Sequence, residues 1–204
     1  MRIAVGVSGG GRSLLNLIEK QKTQPFEIAF VFSSSPDAGA NQIARNLGIP
    51  LLIENFAVKN QAVAKNSLYE ALRDFKIDLV VLAGFLKLLP VDPSWASKII
   101  NIHPALLPKF GGKGMHGHQV HAAVIAAQEA TSGASIHFVN ERYDEGALIA
   151  QSRVPVNSND TADILAARVF ASECDLLPWT ITQIAKGRLP AATSVVFNPL
   201  EKES

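Results

Sequence analysis

Asn101 and His103, two residues apart in the string NIHPALLP (101–108), place an amide and an imidazole where a strand gives way to a turn. An aspartate follows at 144, in YDEG. An Asn amide and a His N–H can both donate to a developing oxyanion. A protonated imidazole is also a suitable general acid near neutral pH, and a carboxylate beside it favours its charged form. Ile99 and Ile100 precede the pair, so the run reads as a buried strand, and Pro104 ends it. Two residues apart on a strand means one face, and the carboxyl end of a strand in an open α/β sheet is where ligands bind. Alone, either residue also reads as a satisfied polar group, and Asp144 before Gly146 as turn chemistry.

The elements that must position these groups follow from periodicity. Residues 3–7 are apolar and partly β-branched, stop at SGGGRS (8–13), and give way to Leu14, Leu15, Leu17 and Ile18 at helical spacing. The spacing predicts strands over 27–32, 51–53 and 78–84, with helices over about 40–47 and 60–75 between them. After the strand carrying NIHP come a glycine-rich loop (110–117), a helix over about 118–128, and strands at 134–139 and 147–156 that pair as an antiparallel hairpin. A last helix spans about 160–186, with Pro178 a predicted break and Gly187 a stop; the final residues are expected to fray. The expected fold is α/β: a Rossmann-like, doubly wound, mostly parallel sheet ending in the hairpin and helix.

With 204 residues, 48% of them hydrophobic, one domain (1–204) suffices. Lys+Arg 19 against Asp+Glu 18 leaves a formal charge of +1, which offers no general field for nucleic acid or an anionic membrane. The lone cysteine, Cys174, fits a reducing compartment, and the amino-terminal apolar stretch is too short to span a bilayer, so a cytoplasmic protein is expected.

The glycine loop, NIHPALLP and YDEG, in this order, resemble the phosphoribosylglycinamide formyltransferases, folate-dependent enzymes of purine synthesis. The resemblance covers nearly the whole chain. It implies a catalytic trio of Asn101, His103 and Asp144, with 10-formyltetrahydrofolate as donor and the primary amine of glycinamide ribonucleotide as acceptor. It divides the chain into a phosphate-binding half (1–90) and a catalytic and folate-binding half (91–204). The nucleotide would lie on Gly10, Gly11, Arg12, Ser13 and Glu173. The folate would lie on Leu86, Lys87, Leu88 and Leu89 of GFLKLL, with Asn101, Asn140 and Glu141. Gly-rich loops opening a helix bind anions, although they also occur for steric reasons. Arg12 and Ser13 stand where the family often has Ser or Thr and then Asn; Arg12 either adds a charge-assisted contact or faces solvent. Lys87 replaces a common Arg and cannot supply a bidentate fork. The leucines also read as core, and Glu173 as a solvated helix face.

All five histidines lie between 103 and 137, and HGHQVH (116–121) invites a metal reading. The spacing brings no Cys or acidic ligand with it, so no metal is expected. His137 either faces the site or is a hydrogen-bonded core group. The alternatives are a formyltransferase for a sugar-nucleotide amine, a formyltetrahydrofolate hydrolase, and a non-catalytic folate- or nucleotide-binding module. Methionyl-tRNA formyltransferases carry a further carboxyl-terminal domain and the hydrolases a further amino-terminal one, which the chain's length argues against. Small-molecule substrates and a monomer or homodimer complete the expectation.

Overall fold

The computed structural model describes residues 1–56, 61–188 and 196–197. The chain packs as two compact units, Met1–Asn101 and Ile102–Ser204, and the boundary falls inside one strand.

In the first unit, β1 (Arg2–Val7), α1 (Arg12–Lys20), β2 (Glu27–Ser33), α2 (Gly39–Asn46), β3 (Leu51–Ile53), α3 (Gln61–Asp74), β4 (Leu79–Leu82) and β5 (Ile99–His103) alternate as predicted. The strands pair in parallel in the order β3-β2-β1-β4-β5. All four residues of β4, and Ile3–Val7 of β1, are buried, which is why their sequences read as unbroken apolar runs. Phe32 stacks against Phe30 and packs edge-on to Phe85, which in turn meets Phe56. Gly6 makes room for this cluster: a Cβ there would lie 2.5 Å from the Phe32 ring. The order reverses between β1 and β4, the switch point at which open α/β sheets bind ligands. The glycine loop follows β1 and GFLKLL follows β4, so both lie there.

In the second unit, α4 (His118–Ala126) leads to β6 (Thr131–Phe138) and β7 (Leu148–Pro155), an antiparallel pair with a register shift between Ile136 and His137. A short β8 (Val196–Phe197) pairs in parallel with β7. The predicted hairpin is therefore present, and the architecture is α/β, mostly parallel, with antiparallel strands towards the carboxyl terminus. α5 (Ala162–Ala185) is capped by Thr161, whose hydroxyl accepts from the Ile164 N–H at 3.3 Å.

α5 corrects one expectation, because it runs through Pro178 without a break. The proline leaves one helical bond unmade, yet Leu176, Leu177, Pro178, Thr180 and Ile181 are all buried. Burial of that stretch outweighs the missing bond, and the Thr180 hydroxyl donates to the Leu176 carbonyl at 2.9 Å. The expectation of a frayed carboxyl terminus lies outside the described residues. Among the described residues, no helix is long and apolar enough to cross a membrane.

Candidate active site

β5 is buried at Ile99, Ile100, Ile102 and His103, while Asn101 is half-buried opposite Leu82 of β4. The alternation of the strand puts Asn101 and His103 on the same face, as the spacing required. Beyond Pro104 the chain is tied down by Ser135 of β6. Its hydroxyl donates to the Ala105 carbonyl at 2.7 Å and accepts from the Leu107 N–H at 3.0 Å. The Gln151 amide of β7 donates to the same hydroxyl and to the Leu107 carbonyl. Ser135 and Gln151 were not foreseen; the only trace of Ser135 in the sequence is a polar residue within a buried strand.

His103, 3% exposed, is gripped at both ring nitrogens. Its Nδ1 lies 3.5 Å from Asp144 Oδ2, and its Nε2 donates to the Phe110 carbonyl at 2.8 Å. The carbonyl requires a proton on Nε2 and the carboxylate favours one on Nδ1, so the surroundings offer partners for both protons of the imidazolium. Burial opposes that charge and prevails: His103 titrates below its ordinary value, with Asp144 and Phe110 pulling upward and His137 adding to the lowering.

Asp144 sits in the left-handed region (φ 58°), a conformation aspartate tolerates. Burial pushes its carboxyl up, but the hydrogen bond with His137, the charge of His103 and the Gly112 N–H at 2.9 Å together hold it below the usual range. The ion pair thus favours both charged forms, while burial wins at the histidine and loses at the aspartate, which has more partners. His137 Nε2 stands 3.4 Å from Asp144 Oδ1 and its Nδ1 donates to the Phe138 carbonyl at 2.8 Å. This resolves the open reading of His137: it is buried beside the carboxylate. Glycines permit the closeness. A Cβ on Gly146 would lie 1.6 Å from the Phe138 carbonyl oxygen, and one on Gly111 2.5 Å from Leu107 and 3.2 Å from Asp144.

His121 is buried with an Nδ1 that has no hydrogen-bond partner, and it titrates low through burial and the charges of His118 and His103. Among the described residues no group of three His, Cys, Asp or Glu side chains is arranged to hold a metal ion. Asn140 and Glu141 are exposed, and the Asn140 side chain accepts from the Arg142 N–H at 2.9 Å. Glu173 is half-buried on α5.

At the switch point of the first unit, Gly11 (φ 85°) caps α1 with no side-chain hydrogen bond. A Cβ on it would press to 2.9 Å from the Ala40 backbone, so both conformation and space select glycine. Gly9 and Gly10 are exposed, as is Arg12, and Ser13 is half-buried. The loop is joined to the segment after β4: the Ser8 N–H donates to the Gly84 carbonyl at 3.0 Å and the Ser8 hydroxyl accepts from the Leu86 N–H at 2.8 Å. Leu86 is 45% exposed, whereas Leu89 is fully buried. Lys87 is exposed and Leu88 half-buried. The side chain of Leu89 is therefore core, while Leu86 is an apolar group open to a ligand.

The parallel sheet reverses at β1/β4 and carries an Asn-x-His strand end with a His–Asp pair after it, an α/β architecture, and residues 1–181 match the formyl transferase family. The chain belongs to that family. It is 41% identical over 193 residues to the chloroplastic phosphoribosylglycinamide formyltransferase of Vigna unguiculata, covering 92% of this chain. It spans 62% of that relative's length. The phosphoribosylglycinamide formyltransferase of Haemophilus influenzae is 33% identical, with 96% of this chain and 92% of that protein covered. The crystal structure of the Anaplasma phagocytophilum phosphoribosylglycinamide formyltransferase superposes with a TM-score of 0.83 at 30% identity, covering 97% of this chain and 98% of the other.

Proposed function

We propose that this chain transfers the formyl group of 10-formyltetrahydrofolate to the primary amine of glycinamide ribonucleotide, in de novo purine biosynthesis. The observation that carries the reading is the buried His103–Asp144 pair, with His103 two residues beyond Asn101 at the end of β5.

The amine nitrogen attacks the formyl carbon, the new C–N bond forms, and the carbonyl electron pair moves onto oxygen. The Asn101 amide and the His103 N–H hold that oxyanion. His103 Nε2 exchanges the Phe110 carbonyl for the substrate oxygen, and the growing negative charge counters the burial that keeps the imidazole neutral. Asp144 holds the ring and favours its charged form. The proton lost by the attacking amine charges His103, with Asp144 favouring the imidazolium. As the intermediate collapses, the bond to the folate nitrogen breaks and His103 supplies that nitrogen's proton, leaving tetrahydrofolate, the formylated product and a neutral imidazole.

The backbone N–H groups at Gly10, Gly11, Arg12 and Ser13 open α1 and suit the single phosphate of the nucleotide; Glu173 is assigned to the same acceptor. Leu86, the backbone of Leu88 and Leu89, and Lys87 are assigned to the folate, as are Asn140 and Glu141. No metal takes part. The protein works on small molecules, without nucleic acid or membrane, as a monomer or homodimer in the cytoplasm.

The test is to incubate the protein with 10-formyltetrahydrofolate, with and without glycinamide ribonucleotide, and follow formyl loss. Acceptor-dependent loss supports the proposal. Loss without acceptor identifies a hydrolase, and no loss points to another amine, such as a sugar nucleotide, or to a binding module.

A further inference from the structure

The second unit contains a cavity of about 420 Å³ that the chemistry above does not use. Leu106, Leu107, Phe110 and Val124 form apolar walls, and Ser132, Gln151 and Arg153 add polar ones. This volume falls in the range of small-molecule sites, which combine apolar walls with a few placed polar groups.

Its polar groups are not equivalent. Lys109 and Glu129 both line the cavity and satisfy each other at 2.7 Å. Among the described residues no carboxylate pairs with the Arg153 guanidinium, so the lining carries one uncompensated positive charge. One unpaired cation and apolar walls match a monoanion with a hydrocarbon body.

The wall has a second role. Residues 106–110 line the cavity, the Phe110 carbonyl holds His103 Nε2, and Gly112, two residues on, donates to Asp144. Phe110 itself lies at φ 57°, an uncommon conformation for a bulky residue, so its carbonyl direction depends on how the segment is seated. An occupant that presses on Leu106 and Phe110 therefore bears on the grip around His103.

We propose that this cavity binds a small monocarboxylate with an apolar body and that its occupancy repositions the 106–112 segment holding His103 and Asp144. The inference does not depend on the formyl-transfer reading, because its test uses no turnover.

The probe is 3-phenylpropionate, with 3-phenylpropan-1-ol as its uncharged counterpart, titrated by calorimetry into the full chain. The acid is expected to bind with Kd at or below about 1 mM and the alcohol roughly tenfold more weakly, as loss of a charge-assisted hydrogen bond predicts. Arg153→Ala, at an exposed strand position, is expected to lower the acid to the alcohol's affinity and leave the alcohol unchanged. Hydrogen exchange should slow at 129–132 and change at 106–112 on binding. Absence of acid binding at about 10 mM, equal affinity for acid and alcohol, or an acid affinity untouched by Arg153→Ala overturns the site. Binding with unaltered exchange at 106–112 overturns the coupling.

Discussion

Replacing Asp144 with asparagine keeps the shape of the side chain and removes its charge. In the native protein Asp144 Oδ2 lies 3.5 Å from His103 Nδ1, and the two side chains are only 11% and 4% exposed. Full charges at that separation attract by about 5 kcal/mol at an effective dielectric of about 20. The asparagine oxygen can still accept from the Gly112 N–H, so the local hydrogen bonding survives better than the electrostatics. If half of the attraction acts in the transition state, about 2.4 kcal/mol is lost, roughly 60-fold in kcat. The ground state carries its own signature: with the upward pull of the carboxylate gone, burial acts unopposed by it, and His103 titrates still further below its ordinary value. Formyl transfer at saturating substrates measures the first effect, and imidazole NMR titration the second, with thermal unfolding to establish that the variant is folded. A folded Asp144→Asn protein whose kcat stays within about threefold of the native value, or whose His103 midpoint stays put or rises, refutes the assignment of Asp144 to His103.

Three further outcomes follow from the same geometry. Gly146→Ala would set a Cβ 1.6 Å from the Phe138 carbonyl that accepts from His137, so it should destabilise the protein by more than about 2 kcal/mol in urea unfolding; an unchanged midpoint would contradict the packing. Stability should fall on acidification: a histidine whose folded pKa is lowered binds fewer protons folded than unfolded, so the stability held above about pH 6.5 is lost as pH falls below that value. Asp144, also lowered, adds a further loss at lower pH, and unfolding free energies that rise between pH 7.5 and 5 would be incompatible with these shifts. Arg12→Ala should raise KM for the nucleotide several-fold and leave that for the folate alone, as loss of one exposed charge-assisted contact requires; equal KM values in variant and native protein would place Arg12 in solvent.

The parts of the structure that were legible in the sequence are those governed by local periodicity. Buried parallel strands read as apolar runs, Pro104 marks the end of β5, and the two-residue spacing fixes the common face of Asn101 and His103. Pro178 shows the limit of that local rule, because the burial of Leu176, Leu177 and Ile181 depends on residues distant in sequence. The partners of Asp144 were similarly hidden. Gly112 and His137 reach it through backbone geometry at 111–112 and through the register shift between Ile136 and His137, neither of which has a residue-type signature. Ser135 could be noticed only as a polar residue in an apolar strand, and its role depends on the two carbonyl and N–H groups of a loop 30 residues away.

The Phe110 carbonyl carries the largest consequence of this kind, because a main-chain oxygen leaves no trace in composition or motif. By accepting from His103 Nε2 it occupies the nitrogen that the proposed chemistry needs, while burial keeps the ring from charging. The sequence presents His103 and Asp144 as a ready acid and its partner. The structure presents a histidine biased towards its neutral form by burial and capped by the carbonyl of the Phe110–Gly111–Gly112 turn. Gly111 packs against both Leu107 and Asp144, so a shift of that turn moves the cap and the carboxylate together. In the proposed chemistry, substrate binding and the charging of His103 are then one event: the oxygen that would displace the Phe110 carbonyl is the same atom whose developing charge would make the imidazolium favourable.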